Sequence, residues 1–390
     1  MPTRREFARW AGMATLALPI RPQPAPVAPA DLEVFQVKVN RRGNWVIVRM
    51  RTSAGITGLG DASHGGADEK TLVLLHRFFA RLKGYSVWDV GRFRLDAFAE
   101  IEAAGRPAAV AFGALEQCLW DIQGKILGVP AHRLFGGALR TSIRNYANIN
   151  RSAEPRSPAG FAQMARAAFD AGFDAVKLAP FDGMPRGDDA AIDQHARQAV
   201  DCIAAVREVA GPNRDVLVDV HSTLNLERSL KLAEVLEPLK LFWIEEATPR
   251  LEDLAEFNRR TQIPTAGGES IFGVKNFYRY IAAGAVDITM PDIKYCGGLL
   301  EMKKIAALSE GAGLMVSPHG PASPVGNAAA AQVCATLPNF LILEHSFGEA
   351  PWRAELTDPP EELRQGRTNL SNRPGFGISL NEKIARKYAA

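Results

Sequence analysis

Three acidic residues, each at the end of a short apolar run, are the most chemically suggestive feature of the chain. The runs are Val-Leu-Val-Asp-Val-His (216–221), Leu-Phe-Trp-Ile-Glu-Glu (241–246) and Ile-Pro-Thr-Ala-Gly-Gly-Glu (263–269), which deliver Asp219, Glu245 and Glu269. Each run reads as a buried parallel strand surfacing at a carboxylate. The carboxylates lie 26 and 24 residues apart, about one strand–helix–strand unit each. Three carboxylates brought to one rim repel one another unless a hard cation sits among them, so the set reads as a divalent metal site. The same rhythm continues through Asp292, His319 and Glu344, and Lys177 precedes it at the end of an earlier run.

Elements with this spacing belong to a barrel. Strand candidates fall at 143–149, 174–178, 216–220, 241–245, 263–267, 286–290, 313–317 and 340–344, with helical stretches between them such as 159–171, 194–210, 227–236 and 299–310. Eight strands alternating with helices, and polar residues recurring at strand ends, predict a parallel (β/α) barrel with its active site at the carboxyl rim. Residues 31–140 read differently. Two alternating runs (32–37 and 45–50) are followed by helical periodicity at 69–82 and 108–127, which predicts a small α+β domain. The barrel then covers 141–355, and a Pro-, Glu- and Asn-rich segment, 356–390, is expected to pack back on the small domain.

The first thirty residues stand apart. Arg4-Arg5-Glu6-Phe7, a modest apolar stretch from Trp10 to Ile20 and a Pro/Ala linker resemble a twin-arginine export signal, which implies an exported or periplasmic protein. A net charge of +3 over 390 residues gives no electrostatic footprint for nucleic acid or a membrane surface. Cys118, Cys202, Cys296 and Cys334 lack paired or metal-type spacing and read as small core residues.

Several motifs carry a family resemblance. They are Phe112-Gly-Ala-Leu-Glu-Gln-Cys-Leu-Trp-Asp-Ile-Gln-Gly-Lys-Ile-Leu-Gly, Leu134-Phe-Gly-Gly, Ile244-Glu-Glu, Gly268-Glu-Ser and Met290-Pro-Asp-Ile with a later Gly-Gly-Leu. From about Val34 to Leu343 the chain resembles the mandelate racemase branch of the enolase superfamily. The resemblance implies an α+β capping domain over a modified (β/α)7β barrel, with Mg²⁺ held by Asp219, Glu245 and Glu269 and Glu246 behind them. It also implies abstraction of the proton α to a substrate carboxylate, Lys177 beside that carboxylate, and a protonated Glu344 donating to the enediolate. Dimers or octamers are common in the family, so self-association is expected.

The base and the acid follow from the remaining residues. Lys177-Leu178-Ala179 lacks the second lysine of the family's Lys-x-Lys pattern, which counts against a two-base racemase. A carboxylate on one imidazole nitrogen raises the basicity of the other, so His319 with Asp292 reads as the base. Asp219-Val220-His221 places a histidine two residues beyond the first ligand, on the same side in a strand register. With His319 it resembles the site of galactonate- and mannonate-type sugar acid dehydratases, where a second histidine protonates the departing 3-hydroxyl. The expected activity is therefore Mg²⁺-dependent dehydration of an aldonate or uronate to a 2-keto-3-deoxy acid. The alternatives are a racemase or epimerase of a hydroxy acid or acyl amino acid, and an exported binding protein without turnover. Arg41, Arg42 and His64, in the family's specificity loops, are expected to touch the substrate or solvent.

Overall fold

A computed structural model describes residues 27–40, 43–64 and 66–390. The proposed export signal and the Arg41-Arg42 pair lie outside the described residues. The small domain begins with a three-stranded antiparallel sheet, β1 (Pro29–Asn40), β2 (Gly43–Thr52) and β3 (Thr57–Asp61), in the order β1-β2-β3. Three helices cover it: α1 (Asp68–Leu82), α2 (Val90–Ala104) and α3 (Arg106–Leu127). Helix α3 is buried along most of its length, and β3 lies so close that a Cβ on Gly60 would stand 2.0 Å from the Ala114 carbonyl oxygen. Only a glycine permits that approach.

The barrel follows as β4 (Ser142–Asn148), α4 (Pro158–Asp170), β5 (Ala175–Leu178), α5 (Asp189–Ala210), β6 (Asp215–Asp219), α6 (Leu226–Leu236) and β7 (Trp243–Glu245). It continues through α7 (Leu251–Arg260), β8 (Thr265–Gly267), α8 (Gly273–Ala282), β9 (Ile288–Thr289), α9 (Leu299–Gly311), β10 (Met315–Val316), α10 (Pro324–Cys334) and β11 (Leu343–Ser346). Neighbouring strands pair in parallel from β4 to β10, and β11 pairs in parallel with β4. A parallel bridge from Val316 to Phe340 joins β10 to the segment entering β11, so the ring of eight strands is complete. This is the parallel barrel that the spacing predicts, in the (β/α)7β form that the family resemblance implies.

Strand periodicity explains how the barrel builds a site. Tyr146, Ala175, Leu217, Trp243 and Ile342 share one apolar cluster contributed by successive strands. Two residues further along each strand, on the same face, stand Asn148, Lys177, Asp219, Glu245 and Glu344. The inward layer therefore changes from apolar to charged in one step toward the carboxyl ends.

Polar contacts hold the small domain over that rim, among them the Arg94–Glu301 ion pair at 2.6 Å. Glu116 of α3 accepts the Leu299 and Leu300 amides at the start of α9, at 2.8 and 3.0 Å. Asp61 at the end of β3 accepts the Ser323 amide (2.8 Å) and hydroxyl (2.7 Å) at the start of α10. The Tyr295 hydroxyl donates to the His64 carbonyl at 2.9 Å. The tail touches both domains. Its strand β12 (Arg367–Asn369) pairs antiparallel with β4, while its last helix α11 (Glu382–Lys387) places Glu382 2.6 Å from Arg49. All four cysteines are free and buried. No helix among the described residues is long and apolar enough to cross a membrane.

Candidate active site

The strand ends and the loops beyond them line a cavity of about 320 Å³ containing Lys177, Asp219, His221, Glu269 and His319. His64, Arg106 and Tyr295 close it from above, and Asn148, Asn150, Arg151, Ala179 and Asp182 complete its wall. Six non-glycine residues among those described have positive φ, and four of them, His64, His221, Ser222 and Glu246, are at this rim. Backbone strain of that kind persists where the surrounding structure fixes it, and it clusters at functional sites.

Lys177 is the electrostatic hub. Its Nζ lies 2.8 and 2.9 Å from the two oxygens of Glu245, and 3.7 Å from both Asp219 and Glu344. All four side chains are at most 2% exposed. Burial opposes the ammonium, but the surrounding carboxylates outweigh it and raise the Lys177 pKa well above the ordinary value. Glu245 moves the opposite way from an ordinary ion-pair acid. Burial, then the charges of Asp219, Glu269 and Glu344, push its carboxyl well up despite Lys177.

The Asp292–His319 dyad is formed. His319 Nδ1 lies 2.8 Å from Asp292 Oδ2, and Nε2 faces Glu269 Oε2 at 3.1 Å. Asp292 is fully buried and is also held by Lys294, whose Nζ is 3.0 Å from the same oxygen. Burial disfavours the His319 imidazolium, but Glu269, Glu344 and Asp292 overcome it and raise its pKa.

His221 reaches the site by a different route from a strand register. Strand β6 stops at Asp219, and His221 takes a left-handed φ of 49° in the turn beyond. Its amide caps Asp219 Oδ1 at 2.8 Å, which fixes that turn. The ring then sits between two carboxylates, Nδ1 at 2.6 Å from Asp182 and Nε2 at 2.9 Å from Asp219. Burial works against the imidazolium, but both carboxylates favour it and its pKa is pushed up to about 11.

Glu344 completes the charged cluster at the end of the last barrel strand. It accepts from the Asn148 amide (2.5 Å) and the Gly320 amide (2.9 Å) and lies near Lys177. Burial favours its neutral form, but Lys177, His319 and these donors hold it well below the usual carboxylate range. Both of its oxygens accept hydrogen bonds in this structure, and the family resemblance implies that a protonated Glu344 donates to the enediolate. Glu246 lies behind the rim, accepting from the Gly268 amide at 2.7 Å, and burial raises its pKa to about 7.

Two sequence families match the chain. The mandelate racemase/muconate lactonizing enzyme N-terminal domain matches residues 19–136, and the enolase C-terminal domain-like model matches residues 160–384. The chain belongs to the mandelate racemase/muconate lactonizing enzyme family of the enolase superfamily. Among similar proteins, the D-xylonate dehydratase of Haloferax volcanii is 30% identical over 366 residues, 90% of this chain and 87% of its own. The D-galactonate dehydratase of Variovorax paradoxus is 30% identical over 355 residues, 87% of this chain and 89% of its own. A mandelate racemase/muconate lactonizing enzyme-like protein from Rubrobacter xylanophilus superposes with a TM-score of 0.87 at 31% identity, covering 94% of this chain and 98% of the other.

The donor chemistry of this family site fits a hard divalent cation. Ligand atoms of Asp219, His221 and Glu269 lie within 4.8 Å of one another. Glu269 Oε2 is buried with His319 Nε2 at 3.1 Å and no other hydrogen-bond partner among the described residues, and burial among neighbouring carboxylates pushes the Glu245 carboxyl up despite Lys177. Glu245 stands apart from this trio because Lys177 and the Trp243 indole N–H (3.1 Å) engage its oxygens. Residues overlooked in the sequence have identifiable signals. Asn148 ends the first barrel strand and Asn150 and Arg151 follow it, at the one strand end whose polar residues were passed over. Asp182, 39 residues from His221, reaches it only through the fold.

Proposed function

We propose that the protein is an Mg²⁺-dependent sugar acid dehydratase that removes water from an aldonate or uronate. The observation that carries this reading is that His221 and His319, each held by different carboxylates, share one cavity with Lys177 and the acidic cluster. His319, with Nδ1–H directed to Asp292, has Nε2 as its basic nitrogen. His221, between two carboxylates, has both nitrogens placed to donate and is suited to be an acid. Ala179 lines the cavity where the Lys-x-Lys pattern would supply another base, which disfavours a racemase. The names of the relatives, xylonate and galactonate dehydratases, point the same way.

Asp219, Glu245 and Glu269 would hold the metal, their oxygens suiting Mg²⁺ better than imidazole does. When bound, Mg²⁺ supplies charge neutralisation at the substrate carboxylate as the α-carbon loses its proton. His319 Nε2 takes the C2 proton. Lys177 donates to a carboxylate oxygen and stabilises the enediolate. His221 delivers a proton to the 3-hydroxyl as the C3–O bond breaks, so water leaves and an enol remains. The enol tautomerises to the 2-keto-3-deoxy acid. Incubating the protein and Mg²⁺ with a panel of aldonic and uronic acids, with semicarbazide detection of keto acid, tests this. Product that disappears with chelator and returns with Mg²⁺ is expected. Racemised substrate without keto acid would replace the reading with an epimerase.

A further inference from the structure

Besides Lys177 and the acidic cluster at the strand ends, the cavity wall carries two guanidinium groups, Arg106 and Arg151. Arg106, Arg151 and His64 line the reaction cavity and also an adjoining outer cavity of about 650 Å³. They therefore stand at the junction, where the far end of a bound sugar acid would emerge. Arg106 begins α3, and its guanidinium lies 3.9 Å from the centroid of the Tyr295 ring. That ring is fully buried, and its hydroxyl is engaged by the His64 carbonyl, so the platform is rigid. No carboxylate among the described residues forms an ion pair with Arg106. Among the described residues Arg151 has one acidic partner, Glu349 at 2.6 Å, and its Nη1 also lies 3.3 Å from His64 Nε2. The Arg106 guanidinium also interacts with the Tyr295 hydroxyl, and with no carboxylate partner its other N–H groups can meet a planar anion.

We propose that Arg106 and Arg151 bind a second anion at the substrate end remote from the reacting carboxylate. The preferred substrate is then a sugar diacid or a sugar acid phosphorylated at its terminal carbon. A neutral terminal hydroxyl needs donors and acceptors but does not match an unpaired guanidinium. A carboxylate or phosphate supplies the charge and the bidentate geometry. This sets the chain apart from relatives named for xylonate and galactonate, whose far ends are neutral. The inference rests on the sugar acid reading and adds its substrate class.

The test compares matched sets of aldonate, aldarate and terminally phosphorylated aldonate across the sugar stereoisomers. Each is measured for binding by calorimetry with Mg²⁺ present and for keto acid formation. Tighter binding of either dianionic series than of the aldonates is expected, and comparing the two series identifies carboxylate or phosphate as the terminal group. Arg106→Gln should weaken that series about 10- to 100-fold, the worth of one or two charge-assisted hydrogen bonds, and bring it level with the aldonates. Arg106 is at a helix start with no acidic partner, so this variant should fold. Aldonates binding as well as the dianions, or a preference that survives Arg106→Gln, would overturn the inference and leave the dehydratase reading intact. Dianions that bind through Arg106 without forming keto acid would overturn the dehydratase reading and keep the inference. A panel in which nothing binds would overturn both.

Discussion

Asp292→Asn separates orientation of the base from simple charge balance. The Asp292 carboxylate faces both His319 Nδ1 at 2.8 Å and Lys294 Nζ at 3.0 Å, and Asp292 and Lys294 are fully buried. Removing its charge should cost the dyad the about 10²- to 10⁴-fold that a positioned general base contributes, or about 3–5 kcal/mol of barrier. The same change leaves the Lys294 ammonium buried without an ion pair, because its Nζ has no hydrogen-bond partner elsewhere. Breaking such a pair costs about 3–5 kcal/mol of stability. The two losses can be separated. Asp292→Asn combined with Lys294→Met removes the orphaned ammonium, so denaturant unfolding should show most of the stability restored. Turnover, followed by keto acid formation at saturating substrate, should stay down in both variants. Turnover in the single variant within about threefold of wild type, under about 1 kcal/mol, would refute the orienting role. So would recovery of activity in the double variant. Asp292 would then be a counter-ion for Lys294 and nothing more.

Two further outcomes concern the scaffold. His345 is buried beside Arg353, and burial first, then that charge, lowers its pKa from 6.5 to about 4. The unfolded chain therefore takes the proton first, so stability is full above pH 6.5 and falls toward pH 4. The expected loss is about 3 kcal/mol. Equilibrium unfolding at pH 7 and pH 4.5 should show this, and His345→Asn should flatten the difference; an unchanged slope would count against the burial argument. Gly60→Ala would force a Cβ to within 2.0 Å of the Ala114 carbonyl and part β3 from α3. A loss of about 1–3 kcal/mol or more in denaturant unfolding is expected, whereas wild-type stability would mean the two elements separate freely.

The barrel was legible because its chemistry repeats at the pitch of one strand–helix unit. The predicted strands at 174–178 and 216–220 coincide to within a residue with β5 and β6, and Lys177 and Asp219 fall where their spacing puts them. Helix α2 was missed although Val90, Phe93, Ala97 and Ile101 are buried at helical spacing. Its ends have no side-chain cap, no acidic first turn and no basic last turn, so the usual start and stop signals are missing. His221 was found for an incomplete reason: the strand has already ended, and a left-handed turn capped by Asp219 aims the ring. The hydrogen-bond partners of Glu344 were not legible, because only the closed barrel brings Asn148 and the Gly320 amide to it. Arg106 and Arg151 belong to different domains, and only their docking places both at the cavity junction.

The central claim is a division of labour, with His319 removing the C2 proton and His221 releasing the 3-hydroxyl. It is tested most directly by incubating His221→Asn with substrate and Mg²⁺ in D₂O and following C2 by proton NMR. Retained exchange of the C2 proton, with keto acid formation lowered by about 10²-fold or more, is the predicted result. Keto acid formed at the wild-type rate by that variant would contradict the account.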